Sequence, residues 1–148
     1  MRLRARLASG AVLAAGLLTA QPALAAQAAV PFHADSGDRC LRGVTEGTLE
    51  WADEPVVRVD GFLADDAPIS SCAPDKMYSQ ATFSAYKGTT LVDSEAVKAD
   101  DSQFAIALAL SDPAGAAAID RVVVQVCRFS ITPVGISYCG KAAEYKAP

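Results

Sequence analysis

Histidine is almost absent from this chain: His33 is the only one in 148 residues. That scarcity excludes most imidazole chemistry. A Ser-His-Asp arrangement needs its base held within hydrogen-bond reach of the nucleophile. His33 lies in Ala26 to Asp38, a stretch without periodicity that reads as a flexible leader. Zinc sites need closely spaced ligand pairs, and the four cysteines, Cys40, Cys72, Cys127 and Cys139, are separated by 31, 54 and 11 intervening residues. No Gly-rich phosphate loop and no EF-hand spacing occurs. The chain is therefore read as non-enzymatic, with no cofactor and no metal. A bilayer-spanning run is missing too. The longest uncharged apolar stretch, Leu7 to Ala20, has 14 residues, where a span takes about 20.

That stretch has a different use. Met1 to Arg6 (M-R-L-R-A-R) is a short cationic segment, the apolar run follows, and Ala23-Leu24-Ala25 gives the small-x-small ending of a signal peptidase site. Residues 1–25 are expected to be a signal peptide, followed by the leader at 26–38 and a folded domain at 39–148. No cysteine sits at the cleavage point and the C-terminus carries no hydrophobic tail, so no membrane anchor is expected and the product is read as secreted and extracellular. Losing Arg2, Arg4 and Arg6 leaves ten basic against seventeen acidic residues, a mature net charge of −7. Such a chain has no electrostatic reason to bind nucleic acid.

The domain reads as short alternating strands. Val44 to Trp51 places Leu49 and Trp51 on one face. Val56 to Leu63 sets Val57, Val59 and Leu63 against Arg58 and Asp60. Met77 to Tyr86 sets Ala81, Phe83 and Ala85 against Gln80, Thr82 and Ser84. Lys87-Gly88 turns the chain into Leu91 to Val97, whose Asp93 and Glu95, with Lys98 after them, suit an edge strand. Phe104 to Leu110 alternates large apolar residues with alanine. Helix competes there, but period two and the following Asp112-Pro113 favour a strand. Asp112 and Pro113 could then start one helical turn through Ala118. Val122 to Phe129 is apolar on both faces, which suggests a central strand, and Ile136 to Glu144 is the last. About seven strands separated by turn signals indicate an all-β antiparallel sandwich.

This layout resembles the immunoglobulin-like β-sandwiches of small secreted bacterial proteins, over about residues 41 to 146. It departs from true immunoglobulin domains at Gln125, where a tyrosine corner would have Tyr, and at Trp51, which precedes the second strand. The resemblance implies a fold and no functional residue.

An even cysteine count behind a signal peptide implies two disulfides. Centring the last hairpin on Pro133 places Cys127 opposite Cys139, within bridging distance. Cys40 and Cys72 are left to pair. The rival, Cys72 with Cys127, would mimic an immunoglobulin inter-sheet bridge.

The acid pairs Asp53-Glu54, Asp65-Asp66 and Asp100-Asp101 read as solvated turn residues rather than a calcium site. Trp51 reads as core. Tyr78 and Tyr86, on the polar face of their strand, are candidate contacts for an extracellular protein or glycan partner. Lys76 and Met77 join them, in a segment from Ser70 to Tyr78 superficially similar to the reactive loop of secreted bacterial subtilisin inhibitors. The leading expectation is a secreted, non-enzymatic sandwich that binds an extracellular partner through its loops. The second is a protease inhibitor acting through Lys76-Met77.

Overall fold

A computed structural model describes residues 28–37, 43–52, 55–65, 76–115, 118–135 and 137–148. The expected signal peptide, the expected Cys40–Cys72 pairing, the acids Asp53, Glu54 and Asp66, and residues 70–75 lie outside the described residues. Among those described, nine strands form two antiparallel sheets and no helix occurs: β1 (Val30–Asp35), β2 (Gly43–Trp51), β3 (Val56–Asp65), β4 (Met77–Lys87), β5 (Thr90–Ala99), β6 (Gln103–Ser111), β7 (Arg121–Ser130), β8 (Tyr138–Cys139) and β9 (Ala143–Lys146). One sheet has the order β1-β2-β3-β6. The other has β5-β4-β7, with both β8 and β9 on the far side of β7.

Alternation sets the inner faces. Leu49, Trp51, Val57, Val59, Leu63, Ile106 and Leu110 from the first sheet meet Ala81, Phe83, Ala85, Val122, Val124 and Val126 from the second, all buried in one core. Trp51 is core, and its indole Nε1 donates to the Ile119 carbonyl at 3.1 Å. The alanine-rich segment 103–111 is a strand, β6, as period two requires; β5 is an edge strand and β7 an interior one.

Three expectations need correction. The first concerns the leader. Val30–Asp35 is not a flexible tail: it forms β1, pairs with β2, and buries Phe32 and Ala34. Phe32 meets Phe83 edge-on at 5.5 Å across the sheets. Pro31 falls on an edge strand, where a missing N–H is tolerated. The second concerns the strand count. The last strand is two pieces, which with β1 makes nine where about seven were expected. Cys127 faces Cys139 and Arg128 faces Tyr138, but beyond Gly140 the register moves by one and Val122 faces Tyr145. The shift turns Tyr145 inward. Its ring meets Phe32 at 6.4 Å, and its hydroxyl accepts from His33 N at 2.9 Å and donates to His33 O at 2.8 Å. Those are outward-pointing backbone groups of the β1 edge, now satisfied. Third, the described residues 112–115 form a turn and not the start of a helical turn. The Asp112 carboxylate accepts from Ala114 N at 2.9 Å, and Gly115 N closes on the Asp112 carbonyl at 2.8 Å.

The disulfide expected from the hairpin register is present: Cys127 is bonded to Cys139. It lies on the outer face of β7, shared with Val123 and Phe129.

Candidate functional site

β4 begins, β5 ends, β7 ends and β8 begins at one end of the molecule. Residues of even number on β4 face outward, so Tyr78 stands opposite Phe129 on β7. Their rings stack at 5.5 Å and 29°. Lys98 on β5 places its Nζ 3.6 Å above the Tyr78 ring centroid. One face of Tyr78 therefore meets Phe129 and the ring also carries a cation, a contact worth about 0.5–1 kcal/mol where exposed.

The hairpin beyond β7 is stiffened from within. Thr132 N donates to Ser130 Oγ at 3.0 Å, the two hydroxyls lie 2.8 Å apart, and Gly135 N donates to the Thr132 carbonyl at 3.1 Å. Ile131 N ties it to the start of β4 through the Lys76 carbonyl, 3.0 Å away. The Cys127–Cys139 bond braces its base. On this frame Val134 is 94% exposed and Ile131 56%, and Phe104, at the start of β6, is 53% exposed at the same end. A braced loop with apolar tips loses little conformational freedom on binding.

Behind this end lies a buried polar cluster joining the sheets. Asp65, at the end of β3, is 1% exposed and Arg128 on β7 is 2% exposed. The Arg128 Nε and Asp65 Oδ1 atoms are 3.6 Å apart. Ser79 Oγ donates to the same oxygen at 2.7 Å, and Asp101 N donates to Oδ2 at 3.2 Å. Asp65 is thus no solvated turn residue, contrary to the sequence reading. It ties β4, β7 and the β5–β6 turn to the end of β3 and is closed to solvent. Asp100 and Asp101 are exposed, as that reading had them. Among the described residues no group of three or more His, Cys, Asp or Glu side chains is gathered as a metal site requires, and no helix is long and apolar enough to cross a membrane.

The structure brings Lys76, Met77 and Tyr78 together, and adds Lys98, Phe129, Ile131 and Val134, which the sequence reading did not select. Tyr86 is left at the opposite end of β4, about 26 Å away at roughly 3.3 Å per residue. There the Arg121 guanidinium lies 4.1 Å from its ring centroid. Arg121 also pairs with Glu144 at 2.9 Å. Beside them is an open depression of about 440 Å³ lined by Gly88, Thr89, Asp120, Arg121, Glu144 and Lys146. Its acids and bases engage one another and the turn backbone: Asp120 accepts from Gly88 N at 2.6 Å, and Glu144 lies 3.8 Å from Lys146 Nζ.

His33 is held on β1 and not on a mobile tail. Its Nδ1 is 3.0 Å from Glu46 Oε1 and its Nε2 is 3.7 Å from Asp35 Oδ2. Both ring nitrogens face carboxylates on the solvent side of the sheet, an arrangement that orients the ring but supplies no nucleophile. Lys76 has φ of 52°, and Met77 and Tyr78 are paired with Ser130 and Phe129. A protease substrate needs extended, unpaired backbone, and these residues do not present it. No protein-family model, no curated protein and no solved structure matches this chain.

Proposed function

We propose that the protein is a secreted, non-enzymatic binding module, an immunoglobulin-like sandwich that engages an extracellular protein through the 131–135 hairpin and the adjoining Lys76–Tyr78 segment. The observation that carries this reading is the gathering of Val134, Ile131 and Phe104, all exposed, at one braced end. Strand order supports the fold assignment. β3 and β6 fall in one sheet and β4, β5, β7 and β8 with β9 in the other, the division that strands B and E and strands C, C′, F and G have in such folds, with β2 in the place of A and β1 added outside it. In that scheme the β3–β4 and β7–β8 connections are the B–C and F–G loops, which carry recognition in variable domains. A protein partner is favoured over a glycan because Tyr78, the aromatic best placed for a sugar, already stacks on Phe129 and carries Lys98 over its ring. The export signal in residues 1–25 supports the compartment.

The test is retention by the immobilised protein, compared with an Ile131→Asp/Val134→Asp variant, of secreted and envelope proteins from the producing cell and of a glycan array. A protein ligand held by the parent and bound at least tenfold more weakly by the variant supports the proposal. Equal retention by both, or retention of glycans alone, contradicts it.

A further inference from the structure

β8 is two residues long and meets β7 in two register pairs, Cys127 with Cys139 and Arg128 with Tyr138. Gly140 N donates to the Val126 carbonyl at 2.9 Å. That makes the cysteine pair a non-hydrogen-bonded one, with close side chains and no ladder bond between the two residues. The covalent bond supplies what the ladder does not at that position. Next to it, Arg128 Nη1 donates to the Tyr138 hydroxyl at 3.3 Å. Gly140 is anchored to β7 a second time, since its carbonyl accepts from Gln125 Nε2 at 3.0 Å. The segment that depends on the disulfide is therefore 131–139, and the chain from Gly140 onward has its own attachments.

The bond also lies outside the core. Neither cysteine belongs to the buried cluster. Both point from the outer face of the second sheet, where Cys139 is exposed and Cys127 half-buried. The cross-strand row through them reads Cys139, Cys127, Gln80 and Lys98. No acid stands in it. Its one charge is the lysine, two strand spacings or about 10 Å from Cys127 in the sheet. An approaching thiolate is an anion, and along this row it meets no like charge, although the chain as a whole is acidic.

We propose that Cys127–Cys139 is a thiol-exchange site whose reductant is a dithiol, and that exchange there releases the 131–139 hairpin while the sandwich stays folded. One thiolate of the dithiol attacks the exposed Cys139 Sγ. The Sγ–Sγ bond breaks, and Cys127 leaves as a thiolate that takes up a proton. The second thiolate of the dithiol then attacks the mixed disulfide and frees Cys139. Two electrons and two protons pass to the protein, and the dithiol ends as a disulfide. The released hairpin carries Ile131 and Val134, so reduction restores the ordering cost that the brace removes and weakens binding there. That consequence rests on the binding reading above; the exchange and the release do not.

The test treats the native protein with dithiothreitol, alkylates it with iodoacetamide and reads peptide masses, circular dichroism and amide exchange. Alkylation is expected at Cys127 and Cys139 with the circular dichroism unchanged. Exchange should rise at least tenfold at Thr132, Gly135 and Tyr138 and stay as it was at Phe83 and Val124. Cys127→Ser/Cys139→Ser should show the same fast amides without dithiol and no further change with it. Alkylation of the pair only together with loss of the circular dichroism overturns the proposal. So does a reduced protein whose hairpin amides exchange no faster than before. These measurements need no partner, so a failure of the binding reading leaves them decisive. A protein held by the oxidised parent should be held at least tenfold more weakly after reduction. Equal retention by the two forms overturns the regulatory consequence and leaves the binding reading standing.

Discussion

Replacing Asp65 with alanine tests the polar cluster that joins the two sheets. The carboxylate is fully buried beside a guanidinium that is almost so, and it also accepts from Ser79 Oγ and Asp101 N. Removing one partner of a buried pair costs about 3–5 kcal/mol, because the remaining charge keeps its desolvation cost and loses its counter-charge. The Ser79 hydroxyl and the Asp101 amide lose an acceptor as well, which places the loss toward the upper half of that range. A domain of this size has a total stability of about 5–15 kcal/mol. With a urea m-value of about 1.5 kcal/mol/M, the unfolding midpoint should fall by about 3 M. The compensated variant Asp65→Leu/Ser79→Ala/Arg128→Met removes the three polar side chains and leaves only the part-buried Asp101 amide without its acceptor, so its stability should return to within about 1–2 kcal/mol of the parent. Urea titrations followed by circular dichroism read all three proteins. A loss below about 1 kcal/mol for Asp65→Ala would refute the reasoning. A compensated variant no more stable than Asp65→Ala would refute it equally.

Four other outcomes are expected. Cys127→Ala/Cys139→Ala should lose about 3 kcal/mol in the same titration, since the bond closes a short loop of the unfolded chain. Tyr145→Phe keeps the ring against Phe32 but leaves the His33 peptide groups without their hydroxyl, for a loss of about 1 kcal/mol and faster amide exchange at His33. Gly61→Ala should cost about 1–3 kcal/mol, because a Cβ there would lie 2.1 Å from the Glu46 carbonyl oxygen. N-terminal sequencing of the exported product should begin at Ala26, and a protein that keeps Met1 on most molecules contradicts the export reading.

Alternation made most strands legible. Ala81, Phe83 and Ala85 against Gln80, Thr82 and Ser84 define β4 without further help, and the turn at Pro133 fixed the register that pairs Cys127 with Cys139. β1 was hidden because Pro31 and His33 interrupt a six-residue run in which only Phe32 and Ala34 are buried. Its pairing depends on β2 and on a tyrosine 112 residues away. The split of the last strand was equally hidden, since a one-residue shift at Gly140 leaves no local mark yet reverses which face Tyr145 occupies. Asp65 misled for a related reason. Two adjacent acids look like a loop, and the Ser79 and Arg128 that make one of them structural are distant in sequence. At the candidate site Lys76, Met77 and Tyr78 were visible as a motif. Ile131 and Val134 carry no such signal, and their exposure beside Tyr78 follows from the β4–β7 pairing.

Hydrogen exchange of the protein with and without the ligand it captures addresses the binding claim most directly. The account predicts slowed exchange at residues 76–78, 98–104 and 129–135, with Gly88, Arg121 and Lys146 unchanged. Protection confined to Gly88, Arg121 and Lys146, or to neither end, would contradict it.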